Sequence, residues 1–297
     1  MKTNILICYP SWEDRSFLGI SRFILENDCN IVYLIKHKKT RNHEKTSSII
    51  TQIEQLLDKH NIVISEIHIS SDGIETWQSI ENSMMTIDKS VNVTLDITTM
   101  SRNVIWSLLT FLKKNKNKVT FFYNQPEKYS DDWISREPYN PKLLFKHSGI
   151  IKLGKPTILL ILSGFDVERT KQLLNYYEPQ KIVLGIQVGT QFCNDQRNSL
   201  AAHRDVCHLL GYLDVESFNY DSYSEDFGFN EINTSIKKYI DNSNIIATSL
   251  GPKLSAISLY KSYLQNQDIA LCYIPCKEYN LDYCSGIGKM FSGTLIF

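Results

Sequence analysis

The chain has 297 residues, enough for two domains of ordinary size, with 42% hydrophobic and 22% charged residues, the balance of a folded globular protein. Its 32 Lys+Arg offset 32 Asp+Glu, so no global field draws it to nucleic acid or a membrane, although a local basic groove stays open. No apolar run reaches the roughly 20 residues of a membrane span. The start lacks a signal-peptide layout, and seven scattered cysteines without a CxxC read as reduced thiols in a cytoplasmic protein, with no metal site and no cofactor expected.

Asn4 to Tyr9 is a short apolar run that predicts a first strand. A polar loop, Pro10 to Arg15, precedes a helix over Ser16 to Asn27, whose Phe17, Ile20, Phe23 and Ile24 have helical spacing. Asn30 to Lys36 predicts a second strand. Polar Lys38 to Lys45 then leads into a helix carrying Ile49, Ile50, Ile53, Leu56 and Leu57. Val63 to Ser70 predicts a third strand and Ser71 to Thr86 a third helix. Val91 to Ile97 is a buried strand, Thr98 to Ser101 a loop, Arg102 to Asn115 an amphipathic helix and Val119 to Tyr123 a fifth strand.

The same order then returns. Thr157–Leu162, Lys181–Val188, Val215–Tyr220, Asn244–Ala247 and Ile269–Tyr273 read as strands. Val167–Tyr177, Asn194–Leu210, Phe229–Ile240 and Pro252–Gln265 read as helices. Thr98 falls on Thr248, Leu109 on Leu259, Tyr123 on Tyr273 and Tyr129 on Tyr279, at a constant offset of 150 residues. So long a period is a duplicated domain, because solenoid repeats run at roughly 20 to 50 residues. Strands alternating with helices predict a parallel sheet covered on both faces. The expected fold is therefore α/β: two tandem Rossmann-like, doubly wound domains over 1–129 and 156–297. Between them, 130–155 is a connecting segment in which Pro138, Pro141 and neighbouring Pro156 argue against a regular element. Its aromatics, Trp133, Tyr139 and Phe145, predict packing rather than a floppy linker.

An open parallel sheet binds ligands past the carboxyl ends of its strands, where strand order switches. After the first strands lie Trp12-Glu13-Asp14-Arg15 and Phe165-Asp166-Val167-Glu168-Arg169. Each set has an aromatic, acids and an arginine opening a helix. The set can hold an anion with Trp12 stacking a base, or it can be an acid-capped helix with a paired arginine. Both readings stay open. After the second strands, Asn42 and Asn194 read as helix N-caps, and Lys36 to Arg41 as a solvated loop or one wall of a phosphate site. After the fourth strands lie Thr98-Thr99-Met100-Ser101-Arg102 and Thr248-Ser249-Leu250-Gly251-Pro252-Lys253. Hydroxyls and a cation at a helix N-terminus make a sound anion cradle. Ordinary Ser/Thr capping is the bland alternative. Asp96, at the end of its strand, is either structurally paired or functional. Ser285-Gly286-Ile287-Gly288-Lys289 is a weak glycine-turn signal. GxxxxGK[ST], GxGxxG, HExxH and GxSxG are absent. His203 and His208, five apart, do not share a helix face.

Leu95-Asp96-Ile97-Thr98-Thr99-Met100-Ser101-Arg102 and Ala247-Thr248-Ser249-Leu250-Gly251-Pro252-Lys253, set in this element order, resemble the CRISPR-associated Rossmann-fold domains and their relatives, the SAVED domains. The resemblance implies a binder of cyclic oligonucleotide second messengers in antiviral defence, contacting them with the loops after strands one and four. The chain departs from those families' Gly-Gly-Thr-Lys-like loop: Gly251 is the only glycine, and the cation is Arg102 in one half and Lys253 in the other. The expected ligand-binding residues are Trp12, Asp14, Arg15, Asp96, Thr98, Thr99, Ser101 and Arg102, with Glu168, Arg169, Thr248, Ser249, Gly251 and Lys253. On this reading Arg169→Ala and Lys253→Ala weaken binding without lowering stability. The expected partners are a nucleotide or cyclic oligonucleotide and a separate effector protein, with no membrane; a homodimer stays open. The alternatives are a metal-independent nuclease or other nucleotide-processing enzyme on the same site, and a non-catalytic subunit of a larger complex.

Overall fold

The computed structural model describes residues 3–38, 43–189 and 199–297. The chain divides into two compact units, 1–132 with 281–297, and 133–280. In the first unit, strands β1 (Asn4–Cys8), β2 (Ile31–His37), β3 (Val63–Ile69), β4 (Asn92–Asp96) and β5 (Lys118–Asn124) alternate with helices α1 (Asp14–Glu26), α2 (His43–Lys59), α3 (Gly73–Met85) and α4 (Arg102–Asn115). A short strand, β6 (Lys128–Tyr129), follows. The second unit opens with β7 (Ser135–Pro138) and β8 (Lys142–Leu143). It then runs β9 (Thr157–Leu162), α5 (Val167–Tyr177), β10 (Lys181–Gln187), α6 (Leu200–Leu209), β11 (Val215–Tyr220), α7 (Phe229–Tyr239), β12 (Asn244–Ser249), α8 (Lys253–Gln265), β13 (Ala270–Tyr273) and β14 (Cys276–Tyr279). The chain returns to the first unit for β15 (Cys284–Ser285) and β16 (Met290–Ile296).

Each unit is the expected α/β sandwich. The first sheet has the order β16-β5-β4-β1-β2-β3 and the second β11-β10-β9-β12-β13-β8. Read from one edge, both run third, second, first, fourth, fifth strand, all parallel. Strand order therefore switches between the first and fourth strands, β1 and β4 or β9 and β12. Apolar runs such as Ile158 to Leu162 are buried from end to end because helices cover both faces. One core gathers Leu6, Val32 and Leu34 under Ile20, Ile49 and Ile53. The other gathers Leu159, Ile161 and Leu184 under Leu173, Leu174 and Cys207.

The sixth strand of each sheet is antiparallel and departs from the expected tandem arrangement. β16 pairs with β5 over seven residues, from Met290 opposite Asn124 to Ile296 opposite Lys118. The tail 281–297, expected with the second domain, thus belongs to the first unit. The segment expected to connect two domains supplies β8, which pairs Lys142 with Tyr273 and Leu143 with Cys272. Pro138 ends β7 and Pro141 precedes β8, so these two prolines sit at strand boundaries, where a missing donor costs little. Two small ribbons accompany this closure, β6 with β15 in the first unit and β7 with β14 in the second. The segment Ser285 to Lys289 is the turn between β15 and β16: Gly286 takes a φ of +68°, and Gly288 N donates to Gln125 O.

Candidate functional site

The loops after β1 and β9 place both predicted arginines inside the protein. Arg15 is 3% exposed. Its Nε donates to Glu13 Oε2 at 2.6 Å, Nη1 to Tyr123 Oη at 3.3 Å and Asn124 O at 3.0 Å, and Nη2 to Tyr283 Oη at 3.1 Å. Cys284 Sγ donates to the same Glu13 carboxylate, and burial pushes this thiol up to about 12. Arg169 repeats the arrangement in the second unit. Its Nε lies 3.0 Å from Asp166 Oδ2 and 3.0 Å from Cys276 Sγ, and its Nη2 donates to Ser135 Oγ at 2.7 Å. Ser135 in turn donates to Asp166. Both guanidinium groups are buried and bonded within their own units, the arrangement of the paired-arginine alternative for Arg15 and Arg169. Asp14 and Glu168 are exposed in the first turns of α1 and α5, where an acid complements the helix dipole. Trp12 is half-buried.

The loops after β4 and β12 differ in how their polar groups are engaged. In the first unit Thr98 N donates to Asp96 Oδ1 at 2.9 Å, and Thr98 Oγ1 accepts from Asn124 N at 3.0 Å and Nδ2 at 3.3 Å. Thr99 Oγ1 donates to the Tyr9 carbonyl. In the second unit Ser255 Oγ donates to Pro252 O, so Ser249 Oγ, 2.7 Å away, must donate to Ser255. Thr248 Oγ1 is buried and bonded to no protein atom. Position 274, which matches Asn124, holds buried Ile274 and offers Thr248 no side-chain polar group. A Cβ on Gly251 would lie 2.6 Å from Tyr220 Oη and 2.8 Å from Ser163 O, so glycine is required where this loop crosses the sheet edge.

The two loops enter helices of the same unusual kind. At α4 the N-cap is Ser101 and at α8 it is Pro252; neither makes a side-chain cap bond and neither first turn holds an acid. Asp72, Asp166 and Ser199 cap α3, α5 and α6 through their side chains, and α1, α2 and α7 carry Asp14, Glu44 and Glu231 in their first turns. Among the described helices only α4 and α8 lack both devices. Their first residues are the half-buried cations Arg102 and Lys253. Helix N-termini without a cap or an acid favour an anion from outside the helix. The loops after the second strands, 39–42 and 190–198 with the predicted caps Asn42 and Asn194, lie outside the described residues.

Asp96 is 3% exposed, and desolvation raises its carboxyl to about 6, against the opposing pull of its bonds from Thr98 and the charge of Arg15. A folded-state value above the ordinary 3.8 means that the fold favours the neutral acid. This contribution is complete below the unfolded value and is lost as pH rises through the folded one. Asp96→Asn keeps an acceptor for Thr98 N without the buried charge. It is expected to stabilise the first unit by about 2–3 kcal/mol above pH 7. The gain should vanish below pH 3.8. Urea unfolding of both proteins at neutral and acid pH measures this, and an equal gain at both would contradict it.

Sequence reasoning missed Ser135, Cys276 and Tyr283 as partners of the arginines, Cys284 as a partner of Glu13, and His203 as a buried side chain. Among the described residues no helix is long and apolar enough to cross a membrane, no cysteine forms a disulfide, and no group of three or more His, Cys, Asp or Glu could hold a metal ion.

No family model matches the chain, and no curated protein matches it. Among solved structures it is similar to a type III CRISPR defence DNA nuclease activated by cyclic oligoadenylate. The TM-score is 0.54 at 8% identity, over 88% of this chain and 64% of that one. The chain thus spans just under two thirds of that nuclease's length, and the likeness is one of fold. A carbohydrate transporter from Acidothermus cellulolyticus 11B in complex with myo-inositol matches at 8% identity over 91% of this chain and 73% of the other, with a TM-score of 0.25. Isoflavone reductase matches at 12% identity over 91% and 90%, with a TM-score of 0.27. These two scores are too low to bear on the fold or the function.

Proposed function

We propose that the chain binds a phosphate-bearing nucleotide, specifically a cyclic oligonucleotide second messenger of antiviral defence, at the carboxyl edges of its two sheets. The observation that carries this reading is the pair of helices α4 and α8. Each begins at the switch in strand order with no side-chain cap, no first-turn acid and a cation as its first residue. A phosphate placed there would accept from the backbone N–H groups of the first turn and pair with Arg102 or Lys253. Thr99, Ser101 and Gly251 border the same turns, and half-buried Trp12, in the loop after β1, would stack a base. The fold shared with a nuclease activated by cyclic oligoadenylate supports this ligand class over other phosphate esters. The common strand order of the two sheets supports duplication of one binding unit. A sensor of this kind would act through a separate effector.

Thermal unfolding against cyclic oligoadenylates, cyclic dinucleotides and mononucleotides tests the reading. A bound ligand stabilises by about 2.7 kcal/mol at a hundredfold excess over Kd. Lys253→Ala and Arg102→Ala, at part-exposed positions, should weaken binding by about ten- to hundredfold, the effect of losing a charge-assisted hydrogen bond. Their melting temperatures without ligand should stay near that of the wild type. Mass spectrometry of the recovered ligand separates sensing from turnover. Silence of the wild type across the whole panel would refute the proposal.

A further inference from the structure

We infer that His203 is a positioning residue for the candidate edge of the second unit, holding the loop after β9 and, through it, the loop after β12. This inference rests on the reading of that edge as a ligand site. His203 lies on α6, is 0% exposed, and takes no part in the contacts proposed for the ligand. Its Nε2 is 3.0 Å from the Gly164 carbonyl and its Nδ1 is 3.0 Å from Thr170 Oγ1. A carbonyl only accepts, so Nε2 carries the proton, and Nδ1 accepts from the Thr170 hydroxyl. Burial holds the ring below its ordinary range, which keeps this neutral form. One imidazole thus ties α6 to the first turn of α5 and to the loop between β9 and α5.

That loop is in turn locked to the next. A Cβ at Gly164 would lie 2.3 Å from the Leu250 carbonyl oxygen and 3.2 Å from Gly251 N, so the two backbones touch directly. Leu250 N and Gly251 N both donate to Leu162 O, at 2.7 and 3.2 Å. Gly251 leads through Pro252 into the first turn of α8 and Lys253. A shift of Gly164 therefore reaches the α8 N-terminus through packed backbone, with no side chain to absorb it. The corresponding helix of the first unit, α2, offers Ile49 and Ile53 to its core, so the first unit's loops are held by other means, chiefly the bonds among Asp96, Thr98 and Asn124.

Hydrogen exchange on the full chain tests the clamp. His203→Leu should speed exchange of the amides of Leu250 and Gly251 and of 164–169 by about tenfold, the effect of one buried hydrogen bond. Amides in the centre of β10 report global opening and should change less. His203→Gln, whose amide can donate to Gly164 O, should restore much of the protection. Thr170→Val leaves the histidine in place and should loosen the same segments more mildly, which keeps the test open should His203→Leu fail to fold. A uniform rise across the unit, no change in either loop, or no recovery with glutamine would overturn the inference. Binding of cyclic tetra-adenylate, measured alongside, should weaken with His203→Leu and recover with His203→Gln. If the wild type binds nothing in the whole nucleotide panel, the ligand reading fails while the exchange data still decide the clamp. If binding is unaffected although exchange rises, the clamp does not serve the site and the inference falls.

Discussion

Arg169→Ala is expected to destabilise the second unit by about 3–5 kcal/mol, the cost of stripping one partner from a buried ion pair. Asp166, whose side chain is 13% exposed, would lose the guanidinium 3.0 Å away, and Ser135 and Cys276 would each lose a donor. Ser135 also belongs to β7 and Cys276 to β14, so the substitution loosens the ribbon that these two strands form. Unfolding followed by fluorescence is well placed to see this, because Trp133 is the only tryptophan of the second unit. Arg169→Lys should recover part of the loss, since an ammonium can meet Asp166 but cannot reproduce the planar fork. Unchanged stability with weakened ligand binding would return Arg169 to the set of ligand contacts. Arg15→Ala should behave in the same way in the first unit, because Glu13 and Arg15 are 8% and 3% exposed.

Removal of residues 290–297 should unfold the first unit and leave the second folded. The deletion strips β5 of a seven-residue antiparallel partner and removes Leu295, which is 2% exposed. Lost ladder bonds and lost burial together amount to on the order of 5 kcal/mol or more, comparable to the whole stability of an ordinary domain. The second unit is built from the continuous stretch 133–280, which does not include the deleted strand. Limited proteolysis should therefore leave a core from 133–280 while the first unit is digested. A truncated chain whose first unit keeps its unfolding transition would show that β16 only decorates the sheet edge.

The sequence by itself determined the two five-stranded parallel sheets and, apart from the start of α6, the position of the helices to within a few residues. Strands buried on both faces must be written as apolar runs such as Thr157 to Leu162, and helices on such a sheet must repeat their apolar residues with the helical period. Both signals are local. It also put the candidate loops after the first, second, fourth and fifth strands, which follow from that element order, while the strand pairing alone decided that the switch lies between the first and fourth. Only the tertiary structure decided which edge strand closes which sheet. Short strands such as Lys142–Leu143, and one interrupted by Ser292, Gly293 and Thr294 such as Met290–Ile296, have no periodicity strong enough to name a partner, and β16 meets β5 across more than 150 residues of chain. Only the tertiary structure decided where the arginines lie, too. An arginine that opens a helix after a strand reads the same whether it faces an anion or the interior, and one of the acceptors that hold Arg15 inside, Tyr283, lies 268 residues away. His203 shows the same limit: its spacing from His208 predicts nothing, and its two bonds, to Gly164 and Thr170, exist only once α6 has packed against α5 and the end of β9.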